Sequence, residues 1–412
     1  MVRAEIITIG DEILYGQILD TNTQWISQEL DKLGVKTIRK SSVGDAKEEI
    51  VRIFDEAQTR ADLVLITGGL GPTKDDLTKK IMADYFGATL ELHQQALEDV
   101  TEFFQKRGRE LTEINRSQAF LPSNSTFIRN IQGTAPAMWF EERGVIWVSM
   151  PGVPFEMKGI MQQEVLPRIE KHFKTPKIVH KVIKTVGIGE SYLSDLIQDW
   201  ENSLPEHIKL AYLPSLGIVK LRLTGFGVDE NQLKHDIDIC YQNLLPLAGQ
   251  YVFGFENDEL ESVIGDLLKQ RNATVSVAES CTGGYLGHKF TSIAGSSSYF
   301  LGGVLAYSNE IKSNLLRVEN DVLDKFGAVS EECIRQMADG VRQLTNSTFG
   351  LATSGIAGPG GGSVEEPVGT VWIAVATENE VFTQKLTLGG SRLQNIEMST
   401  ITCLNLLRKK LI

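Results

Sequence analysis

Cysteine is scarce in this 412-residue chain: Cys240, Cys281, Cys333 and Cys403 lie far apart. No two share the short spacing that would suggest a dithiol couple or half a zinc site, and a reduced intracellular protein is expected. Histidine is scarce too, six residues with no ligand pair at helical spacing. No apolar run approaches the ~20 residues needed to span a bilayer. The opening MVRAEIITIG enters a strand-like run without the layout of a signal peptide. A cytoplasmic protein without a membrane partner is expected. Basic residues are in deficit, 41 against 53 acidic, and the net charge of −12 repels a phosphate backbone. Nucleic acid is therefore not expected as a partner.

What is present is an ordinary globular composition, 42% hydrophobic and 23% charged, in a chain too long for one core. The first part alternates apolar runs (AEIITI, DLVLITGG, VIWVSM) with amphipathic stretches, which is βα punctuation and predicts a mainly parallel sheet covered on both faces. Each of those strands runs into an unusual loop: GDEILYG, GGLGPTKDD and MPGVPFE. A boundary near the KTPK stretch opens a smaller module, in which Val219, Leu221 and Leu223 alternate with Lys220, Arg222 and Thr224 as in a strand with one wet face. Its GIGES, residues 187–191, reads equally as a ligand loop or as a glycine turn before a helix. Asp258, with Glu261 three residues on, predicts a capped helix opening a third domain. The predicted domains are 1–172, 173–256 and 257–412.

In the third domain, strand NATVSVA leads to ESCTGG and strand FGLATSG leads to IAGPGGG. Ser280 follows its strand and precedes Thr282, Gly283 and a predicted helix, whose open amides would hold an anion or a developing oxyanion. It reads as a nucleophile or as a helix cap. With no histidine motif to activate a hydroxyl, the base would be an amine made neutral by burial, and Lys312 in AYSNEIK is the candidate, with Tyr307 placed to relay a proton or orient it. The glycine loop, with Gly358, Gly360 and Gly361, reads as a phosphate or ribose cradle or as a flexible turn. Arg392 reads as a phosphate clamp or a surface residue. Cys281 is a rival nucleophile.

The ordered strings AESCTGG, AGSSSYFLGG, YSNEIK, GAVSEE, SGIAGPGGG, EPVGTV and GGSR resemble the C-terminal domain of the CinA family, the nicotinamide mononucleotide deamidases. The resemblance implies hydrolysis of the carboxamide to nicotinic acid mononucleotide and ammonia without a metal. Ser280 would be the nucleophile, Lys312 and Tyr307 would move the proton, and Ser297, the glycine loop and Arg392 would hold the nucleotide. Glu366 stands where related sequences often carry lysine.

In the first domain, Asp11 and Glu12 follow one strand and Asp75 and Asp76 follow GGLGPT. Carboxylates beside a glycine cradle suit a metal-dependent pyrophosphoryl site; Thr73 and Asp76 alternatively make a capping box. The segments GDEILYGQILDTN, VGDAKEEI, TGGLGPTKDDLT, NRSQA and MPGVPFEM resemble the N-terminal domain of the same family, itself similar to molybdopterin-binding proteins. The implied architecture is α/β: a molybdopterin-binding-like three-layer domain, a small α+β linker domain and a C-terminal α/β deamidase domain. The implied N-terminal activity is an ADP-ribose pyrophosphatase dependent on magnesium or cobalt. Asn22, Gly69, Gly71, Thr73 and Pro151 would bind substrate, and Asp11, Asp75 and Asp76 the metal. Ala137 replaces a glycine in the family's TAPG, which would put a Cβ into a tight substrate loop. Two rivals are molybdopterin-type nucleotidyl chemistry and a non-enzymatic role in competence or DNA damage. A homodimer is expected.

Overall fold

Apolar strands buried on both faces need a covering layer on each side of the sheet. The computed structural model, which describes residues 1–73 and 76–412, supplies it in both of the chain's units, Met1–Val179 with Phe226–Lys234 and His180–Gly225 with His235–Ile412. In the first unit the strands are β1 (Arg3–Ile9), β2 (Lys36–Val43), β3 (Leu63–Thr67), β4 (Leu90–Leu92), β5 (Phe120–Pro122), β6 (Thr126–Ile128), β7 (Ala137–Glu142) and β8 (Val145–Met150). The main sheet has the order β2-β1-β3-β8-β7-β6, with β2, β1, β3 and β8 parallel and β7 and β6 antiparallel; β4 and β5 form a separate ribbon. Successive side chains go to opposite faces. Ile7, Ile9, Val64, Ile66 and Trp147 join one core, and Ala4, Ile6, Leu65 and Val148 the other. The three-layer architecture follows.

Helices close each face by their spacing. Ile50, Ile53, Phe54 and Ala57 form a buried stripe on helix Lys47–Arg60. Asp20 caps helix Thr21–Lys32, its Oδ1 accepting from the Thr23 amide at 3.0 Å. Glu5 is fully buried within β1, and Arg60 (2.7 and 2.9 Å) with Ser41 (2.9 Å) satisfies it. Ala137 departs from the sequence reading. It is the first residue of β7, fully buried in the core and paired with Ile128, so its Cβ packs in the sheet and not in a substrate loop.

The second unit contains a four-stranded sheet of order β10-β11-β9-β12, from β9 (Lys177–Val186), β10 (Ile208–Ser215), β11 (Ile218–Gly227) and β12 (Val252–Phe255), in which β10 pairs antiparallel with β11 and β12 with β9. Val219, Leu221 and Leu223 are buried on β11 as their alternation predicts, and Thr224 is buried as well. A five-stranded sheet follows with order β14-β13-β15-β16-β17: β13 (Val275–Glu279), β14 (Phe300–Leu305), β15 (Phe349–Gly355), β16 (Thr370–Ala376) and β17 (Val381–Thr387). β13 runs parallel to β14 and β15, and the other pairs are antiparallel. Val277 and Leu351 enter one core, Ala278 and Ala352 the other, where Ser330 caps helix Glu331–Thr345 and Cys333, Ile334, Met337, Ala338 and Val341 form its buried stripe.

The capping box expected at Asp258 is absent. The helix begins at Leu260 with no side-chain cap, because Asp258 turns back to accept from the Phe255 amide (2.8 Å) and Glu261 pairs with Lys289 (3.0 Å). Among the described residues, no helix is long and apolar enough to cross a membrane.

Candidate functional site

The strand VSVAE is buried along its whole length, yet it ends in a glutamate. Glu279, 1% exposed, accepts four hydrogen bonds from the turn that follows: Thr282 Oγ1 (2.7 Å) and the amides of Gly284 (3.0 Å), Leu286 (3.0 Å) and Gly287 (2.7 Å). A buried carboxylate persists only with such company. Gly283 and Gly284 take φ of 59° and 100°, left-handed values that let the chain fold back over the carboxylate. The amides expected to hold an external anion are therefore occupied by Glu279, and the Thr282 hydroxyl lies between Glu279 and Thr353 Oγ1 (2.6 Å). Thr282 and Gly283 stiffen the turn and line no part of the cavity beside it.

That turn fixes Ser280, whose amide donates to Thr353 O at 2.9 Å. Its Oγ lies 3.3 Å from Lys312 Nζ. Lys312 is 1% exposed on helix Asn309–Leu316, which Ser308 caps through the Ile311 amide. Its Nζ donates to Ala306 O at 2.8 Å and reaches Tyr307 O at 3.5 Å. Among the described residues no carboxylate pairs with it, and burial pushes its pKa below the ordinary lysine value, against weak opposition from the Cys333 and Cys281 thiols. In the neutral amine two N–H bonds serve the two carbonyls, and the lone pair is left to accept from Ser280 Oγ–H. Cys281 is also buried, but burial first and the Glu279 charge second push its thiol up to about 12.

Arg392 opens helix Arg392–Leu411, donating through Nη1 to Gly358 O (2.7 Å) and through Nη2 to the Tyr307 hydroxyl (3.4 Å). Asn395, one turn on and 1% exposed, ties the glycine loop to the helix by donating to Ala357 O (3.1 Å) and Gly390 O (3.0 Å). The result is a cavity of about 240 Å³ bounded by Ser280, Cys281, Tyr307, Asn309, Lys312, Ala328, Val329, Ser354, Gly355, Ala357 and Arg392. Ser280, Lys312, Tyr307 and Arg392 are brought together. Tyr307 meets Lys312 through its backbone carbonyl, and its hydroxyl faces Arg392. Gly358 accepts from Arg392, while Gly360 and Gly361 are exposed beyond it. Glu366 closes a turn on Ser363. Ser297 is exposed before β14, whose start pairs with the start of β13, one strand length (~17 Å) from Ser280 at the far edge. Sequence reasoning missed Glu279 and Asn395; a charge closing an apolar strand was the available signal for the first.

In the first unit the C-terminal ends of β1, β3 and β8 open onto a cavity of about 570 Å³. Gly68 follows β3 with φ 110°, and a Cβ there would stand 2.0 Å from Ile9 O, so the turn admits only glycine. Asn22, 7% exposed, donates to Gly152 O (2.8 Å) and Thr67 Oγ1 (3.1 Å), and its buried Oδ1 has no partner among the described residues. Asn22, Gly69, Gly71, Asp76 and Pro151 line the cavity; Glu12, Asp20, Asp45 and Glu156 do so too, and Asp11 and Thr73 do not. Thr73 instead donates its amide to Asp76 Oδ2 at 2.9 Å, and helix Thr78–Tyr85 begins without a side-chain cap. Burial raises the pKa of Glu156, against the hydrogen bond from Asn130. Asp75 lies outside the described residues. Among those described, no three acidic, histidine or thiol groups converge to hold a metal ion.

Three family models match the chain: "CinA C-terminal domain" over residues 257–411, "Probable molybdopterin binding domain" over 5–171 and "Damage-inducible protein CinA KH domain" over 180–254. A CinA-like protein of Cytophaga hutchinsonii is 52% identical over 410 residues, spanning 100% of this chain and 98% of its own. One from Flavobacterium psychrophilum is 42% identical over 413 residues, at 100% and 99%. Among solved structures, the competence/damage inducible protein CihA from Agrobacterium tumefaciens matches 36% of this chain and 92% of its own at 38% identity, with a TM-score of 0.36.

Proposed function

Because the chain belongs to the CinA family, we propose that its C-terminal cavity hydrolyses the carboxamide of nicotinamide mononucleotide. One observation carries this reading: a buried lysine, with no carboxylate partner among the described residues, lies 3.3 Å from the hydroxyl of Ser280. Neutral Lys312 takes the proton as Ser280 Oγ bonds to the carboxamide carbon. The C–N bond then breaks, Lys312 returns the proton to the leaving nitrogen, and ammonia departs. Water, deprotonated by the same amine, cleaves the acyl-serine ester to nicotinic acid mononucleotide. Arg392 supplies positive charge for the nucleotide phosphate. Tyr307 orients Lys312 through its carbonyl and walls the pocket with its ring. Ser280→Ala should cut ammonia release by ~10³-fold or more, while Cys281→Ala keeps it; the opposite pattern would overturn the assignment.

A second reading belongs to the first unit and rests on Asn22, whose buried Oδ1 is an open acceptor at a cavity of nucleotide size. We propose that this cavity splits ADP-ribose to AMP and ribose 5-phosphate, with the magnesium or cobalt dependence that the family resemblance implies. Among the described residues, no three acidic, histidine or thiol groups form an ion cage. Assaying the intact chain on both substrates with and without a chelator tests the pair. AMP release should stop and ammonia release continue; no AMP release with either metal would return the unit to nucleotidyl chemistry, and an inert protein on both substrates would favour the recruiting role.

A further inference from the structure

Residues 187–190, the GIGE turn, have no role in either activity. They border a cavity of about 350 Å³ whose wall includes Met398, Ile401 and Asn405 of helix Arg392–Leu411 and Ile218 of β11. Most of that lining is apolar; of its polar residues Glu190 and Ser215 are exposed, Thr402 donates its hydroxyl to Met398 O (2.7 Å), and the buried one is Asn405. It is 4% exposed, and its Oδ1 accepts from Arg408 Nε at 3.1 Å, which fixes the amide and turns Nδ2 the other way. Among the described residues no acceptor meets that Nδ2. A Cβ on Gly187 would fall 2.6 Å from it, which places it at the cavity rim beside the turn.

The surroundings make this N–H a strong donor. Arg408 is 3% exposed and bonds only to Asn405, Val252 O (3.0 Å) and Gln250 O (2.8 Å), so among the described residues its charge has no carboxylate partner and polarises the amide it holds. Helix Glu190–Asn202 starts at the same rim, and its first turn carries no side-chain cap. A buried donor at the edge of an apolar cavity fits an occupant with a flat apolar body and one acceptor oxygen.

We propose that this cavity is a third small-molecule site, for an aromatic ring bearing a carbonyl or carboxylate oxygen that accepts from Asn405. KH modules clamp single strands with a GXXG turn. Here Glu190 ends the turn with a negative charge and helix Arg392–Leu411 walls the cavity, an arrangement that favours a compact molecule over a phosphate backbone.

Saturation-transfer NMR on the full chain, with benzamide and benzoate as probes, tests this and separates the neutral oxygen from the anion. Asn405→Asp keeps the acceptor for Arg408 and removes the N–H; Thr402→Phe fills the cavity from the same helix. Transfer to at least one probe is expected, weakened ~5-fold or more in both variants, with ammonia release unchanged. No transfer to either probe, or transfer that both variants leave intact, overturns the proposal. Binding of a single-stranded oligouridine that Asn405→Asp weakens would also overturn it, by giving the turn to nucleic acid.

Discussion

The cavity at Ser280 and the cavity at Asn22 both sit beyond the C-terminal ends of parallel strands, yet they differ in how far the polar groups in and behind their walls are already committed. At Ser280, Glu279 takes four donors, Asn395 uses both ends of its amide, and Lys312 faces three oxygens. At Asn22, among the described residues, a buried acceptor has no partner, and neither does the buried Thr78 Oγ1 nearby. The first site is set by contacts within the protein before any substrate arrives, as preorganised catalysis requires. The second is built to exchange hydrogen bonds with what enters.

The strongest way to break that contrast is at the amine. Lys312→Met should reduce kcat for ammonia release by ~10³-fold or more while the thermal midpoint holds or rises, since a buried charge-capable group is replaced by an apolar one. A variant that keeps a tenth of the activity would remove the amine from the mechanism. Lys312→Arg, always charged, should be equally inactive.

Next in size is the committed carboxylate. Glu279→Gln turns an acceptor of four bonds into a mixed donor and acceptor, so urea unfolding should show a loss of ~2–4 kcal/mol, and activity should fall as the Ser280 turn loosens. Unchanged stability would mean that the turn holds itself. The pH profile comes third. Because the base must be neutral and burial lowers its pKa, log kcat/KM should rise by ~1 per pH unit and level off below the ordinary lysine range; a plateau only within that range would contradict a desolvated amine. At the open site, Asn22→Ala should lower AMP release ~10-fold for a stability loss of only ~1–2 kcal/mol. An equal loss from both sites would erase the contrast. Smallest of all, Cys281→Ala should leave ammonia release within ~3-fold of the parent.

Legibility in the sequence follows the same division. AEIITI, DLVLITGG and VIWVSM disclose β1, β3 and β8 because burial on both faces leaves a continuous apolar run, and the alternation at 219–224 discloses β11. Ser280 and Arg392 were legible as chemistry-bearing residues beside glycine turns, and Lys312 as the amine available in AYSNEIK. What filled the helix amides was not, since a protein carboxylate and an external anion satisfy the same donors, and only the fold puts Glu279 there first. Whether Tyr307 meets Lys312 by ring or by carbonyl depends on side-chain direction, which spacing does not encode. Ser297 shows the limit of order along the chain, for parallel pairing carries it to the opposite edge from Ser280.

The elevated thiol pKa of Cys281 has a consequence for oxidative stress. Peroxide attacks thiolate, and a group held near 12 offers almost none of it at neutral pH. Under the proposed mechanism the nucleophile is a hydroxyl and the thiol beside it stays protonated, so ammonia release should persist through a peroxide challenge that stops cysteine-dependent amidases.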